Sequence, residues 1–142
     1  MQIIQAPRAS AILYNLLISQ DNSRPWLLPA NVCPIVPITF FKAGTPIEFV
    51  DISAETLHMD LEQAEGRLER GKYGGILYAH TYGEPSTPNN VFQYLKSRHP
   101  GLFLVDDRCL CIPDLEPNPD MVADVALYST GYAKVVELNF GG

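Results

Sequence analysis

"LFLVDDRCLC" (residues 102–111) is the stretch on which the reading of the fold turns. Four apolar residues run into two acids with no polar alternation before them. A strand with one wet face alternates, whereas a strand covered on both faces does not. The run is read as a strand inside a sheet with helices on both sides, and Asp106 and Asp107 mark its carboxyl end. "GGILYAHT" (74–81) has the same character. "WLLPA" (26–30), "IEFVDI" (47–52) and "VALYST" (125–130) read as further strands, and "MQIIQ" (1–5) as a possible one.

Helical patterns separate these strands. "RASAILYNLLIS" (8–19) places Ala11, Leu13, Leu16, Leu17 and Ile18 at mostly helical spacing. "NVCPIVPITFFKAG" (31–44) reads as a helix capped by Asn31 and ended by Gly44, bent or shortened by Pro37. "MDLEQAEGRLERG" (59–71) is amphipathic, with Leu61, Ala64 and Leu68 on one face, and "NNVFQYLKSRH" (89–99) carries Val91, Phe92 and Leu95. Met59 and the Phe40/Phe41 pair read as core. Strands joined through helices need crossovers, which predicts an α/β fold of three layers, αβα, around a mostly parallel sheet. Ligands of such sheets bind beyond the carboxyl ends of the strands. The residues to weigh are Ala30–Val32, Asp51, His80–Gly83, Asp106–Arg108 and Ser129–Lys134.

The 142 residues suffice for one domain with a core, and 46% are hydrophobic against 18% charged, an ordinary globular balance. Net charge is −6 and no basic cluster is dense enough for a phosphate backbone, so nucleic acid is not an expected partner. Apolar runs are too short to span a membrane, and the first ten residues carry no export signal. Three cysteines, an odd number without such a signal, read as reduced thiols in the cytoplasm. Cys109-Leu-Cys111 is too close a spacing for a zinc site without a second ligand pair, so no metal is expected.

Asp106 and Asp107 serve either as a turn cap with a solvated neighbour, or as a carboxylate held in a cleft against a cation. "VDD" also resembles the acidic pair of phospho-receiver domains. That pair belongs near the start of such a domain, and only 35 residues follow Asp107. Lys134 follows the uncharged run "YSTGYA" (128–133) and is the only lysine after residue 96. It is a surface charge, or a desolvated amine able to attack a carbonyl. Ser129 and Thr130 bond to turn backbone or donate to a phosphate. An amine, a carboxylate and phosphate donors together suit pyridoxal 5'-phosphate (PLP). His80 and Tyr82 read as structural rather than substrate-binding.

The order of "RASAILYNLL", "LLPANVC", "AGTPIEFVDISAETLHMD", "AHTYGEPS", "LFLVDDRCLC" and "YSTGYAKVVELNFGG" resembles the large domain of fold-type-I PLP enzymes, and most of all the DegT-type (DegT/DnrJ/StrS) sugar aminotransferases. The resemblance implies that Lys134 is the Schiff-base lysine, Ser129 a phosphate contact and Asp107 the partner of the pyridine nitrogen, with Asp106 as the fallback. It implies a sugar nucleotide as substrate, an amino donor and a homodimer. The chain departs from the pattern in three places. "PRAS" replaces the glycine turn before the first helix, leaving Arg8 or Ser10 to meet the phosphate; Cys33 stands where an aromatic ring stacks; and Arg108, Cys109 and Leu110 follow the acids. A PLP-dependent sugar dehydratase, or a non-catalytic relative using the scaffold for binding, is the alternative.

In the resembling family the closing Gly-Gly leads into another strand, a long helix and a small domain. Residues 1–142 are accordingly expected to be a partial PLP-binding large domain without the C-terminal small domain. The first segment should then lack a neighbour, and apolar surface should be exposed near Val135–Phe140.

Overall fold

The computed structural model describes residues 3–113 and 119–142. Among the described residues nine elements follow one another: α1 (Ala9–Ile18), β1 (Trp26–Pro29), α2 (Ile35–Ala43), β2 (Ile47–Val50), α3 (Leu61–Arg70), β3 (Gly75–Ala79), α4 (Asn89–Arg98), β4 (Phe103–Asp107) and β5 (Val125–Leu127). The five strands form one sheet in the order β2-β1-β3-β4-β5. Every pairing between them is parallel. Parallel neighbours require crossover connections, and α2, α3 and α4 supply those between β1, β2, β3 and β4.

Two apolar cores lie on the two faces. Trp26, Leu28, Leu77, Ala79, Val105 and Leu127 meet Ala9, Leu13 and Leu17 of α1 and Val36, Phe40 and Ala43 of α2. Leu27, Val50, Ile76, Tyr78 and Leu104 meet Ala64 and Leu68 of α3 and Phe92 and Leu95 of α4. Successive strand residues alternate between the two cores, so β3 is buried at every position. At the edge of the sheet β2 buries only Val50 fully, and the double coverage expected of the strands stops there.

Local chemistry sets the helix ends. The Asp60 carboxylate accepts from the amides of Glu62 and Gln63 and starts α3. Pro34 takes the position before α2, so Pro37 falls in the first turn and causes no break. Asn31 does not cap this helix: its amide donates to the Leu57 carbonyl at 3.0 Å. Gly44 ends α2 with φ 72°, in the left-handed region that favours glycine.

Three packing expectations change. The buried stripe of α1 is Ala9, Leu13 and Leu17, and Ile18 is half exposed. Phe40 is buried but Phe41 is 85% exposed, because neighbours on a helix point about 100° apart. Residues 3–7 form no strand, and Met1 and Gln2 lie outside the described residues. Ala6 and Gly142 instead exchange two backbone hydrogen bonds, of 3.1 and 3.0 Å, and Gly141 donates to the Pro7 carbonyl at 2.8 Å. Ile3, Ile4, Val135, Leu138 and Phe140 are exposed.

Gly75 is where β3 passes under Trp26. A Cβ there would stand 2.5 Å from the Phe103 carbonyl oxygen and 2.7 Å from the indole. The indole is itself wedged edge-on against Phe40 at 5.5 Å and tilted against Phe103 at 5.9 Å. Gly75→Ala is expected to cost about 1–3 kcal/mol by overpacking. Urea unfolding measures it, and an unchanged midpoint would refute the tight approach.

Candidate active site

Strand alternation decides the geometry at the carboxyl end of β4. Asp106 pairs in register with Tyr78, and Asp107 with Ala79. Tyr78 belongs to the α3/α4 core and Ala79 to the α1/α2 core. The adjacent carboxylates therefore lie on opposite faces of the sheet, 1% and 7% exposed respectively.

Asp106 is enclosed by donors. His80 Nε2 lies 2.7 Å from Oδ1, Thr87 Oγ1 donates to Oδ2 at 2.9 Å, and the Arg108 guanidinium stands 3.8 Å from Oδ2. Burial weakens the charged form of His80, but the hydrogen bond and charge of Asp106 prevail and raise its pKa. His80 is thus part of a buried polar network.

Asp107 has less support. The Cys109 amide donates to Oδ1 at 3.1 Å. Burial pushes the carboxyl above its ordinary value, against the pull of the Cys109 hydrogen bonds and the positive charge of Lys134. The same amine acts on the Cys109 thiol, which burial and then the Asp107 charge push upward. Lys134 is half-buried in the loop after β5. Ala133 before it has φ 57°, and its amide donates to the Glu137 carboxylate at 2.9 Å. Asp107 and Cys109 stand on the α1/α2 side, and the positive charge of Lys134 acts on both.

The other candidates stand more loosely around it. Half-buried Ser129 accepts from the Gly131 amide at 3.4 Å, which leaves its hydroxyl hydrogen to donate elsewhere. Ser10 is half-buried in the first turn of α1, whose start Arg8 does not cap with its side chain. Cys33 is exposed before α2. Among the described residues neither Ser10 nor Cys33 makes a side-chain hydrogen bond to Asp107 or Lys134. Tyr82 is 64% exposed. A depression of about 170 Å³ lies at the opposite, amino ends of the strands, bordered by Trp26, Gly74, Phe103 and Asp124. The sequence reading missed Thr87 and Arg108 as partners of Asp106, and missed His58 and Glu84 near His80. Thr87 and His58 lie 19 and 22 residues from Asp106 and His80, and only the folded loops bring them together.

No family model and no curated protein matches the sequence. The architecture is that of the PLP-dependent transferase fold, a parallel five-stranded αβα sheet. A DegT DnrJ EryC1 StrS aminotransferase from Brucella abortus superposes with a TM-score of 0.79 at 18% identity, over 99% of this chain and 40% of its own. A sugar aminotransferase from Micromonospora echinospora gives 0.77 at 19% identity, over 98% and 40%. The E. coli GDP-4-keto-6-deoxy-D-mannose-3-dehydratase, solved with bound hydrated PLP, gives 0.74 at 16% identity, over 97% and 37%. The chain spans about two fifths of the length of these proteins. No helix among the described residues is long and apolar enough to cross a membrane.

A buried acid with a raised pKa has a defined cost. The folded protein holds the Asp107 proton more tightly than the unfolded chain, whose carboxyl keeps a value near 3.8. Stability from this group is therefore lost as pH rises through the raised value, and ionised Asp107 is a burden at neutral pH. Asp107→Asn should raise the thermal midpoint at neutral pH and give no gain below the unfolded value. A less stable variant at neutral pH would contradict this.

Proposed function

We propose that this chain forms the cofactor-binding part of a PLP-dependent enzyme that modifies sugars, an aminotransferase of the DegT type acting on a keto-sugar nucleotide. The observation that carries the reading is the buried Asp107 carboxylate at the end of β4, within the field of Lys134 from the next loop. The likeness of fold to PLP-dependent sugar enzymes supports it.

The donor set fits the cofactor. A buried carboxylate with one backbone donor suits a pyridine N–H, whose positive charge would relieve the cost of ionising Asp107. The Ser129 hydroxyl and the first turn of α1 with Ser10 offer donors to a phosphate. Arg8 before α1 adds a positive charge where the glycine turn is missing. Exposed Cys33 gives a ring little to stack on. Asp106, on the other face and already holding His80 and Thr87, is left to organise the loop after β3.

When bound, the cofactor supplies an electron sink for charge developing at the substrate's Cα. Lys134 would hold its aldehyde carbon and then move the proton at Cα. Asp107 would keep the ring nitrogen protonated. An amino donor, a homodimer that completes the site and a cytoplasmic setting go with this reading. A PLP-dependent sugar dehydratase is the second reading, favoured by the likeness to the E. coli dehydratase.

Reduction with borohydride after mixing with PLP tests the assignment. Mass spectrometry should locate one pyridoxyl group per chain, on Lys134, and none in Lys134→Ala. Asp107→Asn should keep the label but weaken PLP uptake by about tenfold, the loss of a charged hydrogen bond. Labelling spread evenly over Lys42, Lys72 and Lys96, or none at all, would overturn the reading.

A further inference from the structure

We propose that His58, His80 and Glu84 form a binding site for a divalent transition-metal ion of the zinc type. The site is on the α3/α4 side of the sheet, away from Asp107. One ligand atom from each of the three residues falls within 4.8 Å of the others. Tetrahedral ligands with bonds of about 2.1 Å stand about 3.4 Å apart. The group has to close by little more than about an ångström, and Glu84, its exposed member on the loop after β3, can make that movement.

Two further observations point to a ligand. First, His58 is 8% exposed, and its Nε2 is buried with no hydrogen-bond partner. A buried polar atom left in that state is costly, and a metal bond removes the cost. Second, His80 already has the support that metal-bound imidazoles have. Its Nε2 is tied to the Asp106 carboxylate at 2.7 Å, and Thr87 fixes that carboxylate in turn. A carboxylate behind a histidine orients the ring and strengthens its other nitrogen as a ligand. That nitrogen, Nδ1, faces the Glu84 main chain. The Glu84 side chain is steadied by the Ser86 amide, 2.9 Å from Oε1.

Binding is a simple exchange. Both His80 nitrogens face oxygen acceptors, so the ring carries two protons. The ion takes the place of the Nδ1 proton, so the Nδ1–H bond to the Glu84 carbonyl breaks as the loop shifts, the proton leaves to solvent, and the Nε2–H bond to Asp106 stays. Two imidazoles and one carboxylate are a set zinc accepts, with its fourth position left to water. The cysteine spacing carries no trace of this site, whose ligands are two histidines and a glutamate. The ligands here come from the end of β3, the loop behind it and the segment before α3.

Calorimetric titration of the metal-stripped chain with Zn²⁺, and absorption spectroscopy with Co²⁺, test the proposal. One ion per chain is expected, with about one proton released and a Co²⁺ ligand-field spectrum free of thiolate charge-transfer bands. Glu84→Gln, at an exposed position, should weaken binding by about tenfold or more. His58→Ala should remove the site while circular dichroism shows the fold intact; if it unfolds, Glu84→Gln decides alone. Absent stoichiometric binding, affinity unchanged in Glu84→Gln, or thiolate bands that vanish when Cys109 and Cys111 are changed to serine would each overturn the assignment.

Discussion

The alternation of β4 is the constraint on which the rest depends. A strand buried on both faces turns consecutive side chains to opposite sides, and this strand ends in two consecutive acids. The sheet therefore holds two buried carboxylates, one residue apart in sequence, in separate surroundings. Asp106 enters a network with His80, Thr87 and Arg108. Among the described residues, Asp107 accepts from the Cys109 amide and lies in the field of Lys134. Shifting the strand by one residue would exchange the two environments, so the register with β3, fixed by Gly75 against Phe103 through Ala79 against Asp107, determines which acid faces which loop.

That register rests on ordinary packing. Trp26, Leu28, Leu77 and Val105 fill one core, and Leu27, Ile76 and Leu104 the other. The absence of a side chain at Gly75 lets the Trp26 indole and the Phe103 backbone close over β3. Stability is spent at the carboxyl ends of the strands, where burial disfavours the ionised Asp107.

Much of the fold was legible in the sequence. Apolar strands without alternation, separated by helical patterns, specify a covered parallel sheet, and the Asp60 cap and the Leu61, Ala64, Leu68 face specify α3. What stayed illegible depended on direction or on distant contact. Periodicity does not say which of Phe40 and Phe41 faces the sheet, nor that β2 is an edge strand with Phe49 half exposed. The acid pair and the lysine stood out because each is a charge beside an apolar run. Their assignment to faces needed the register. His58 and Glu84 carried no signal at all, since they come together with His80 only through the loops behind β2 and β3.

The central claim is that the Lys134 amine acts on the buried Asp107 carboxyl. The direct measurement is the titration of the Asp107 carboxyl carbon by NMR, in the unaltered chain and in Lys134→Met. The account predicts an Asp107 pKa above the ordinary carboxylate value, rising further when the amine is removed. A carboxyl that titrates identically with and without the Lys134 amine would place the two groups out of each other's reach and contradict it.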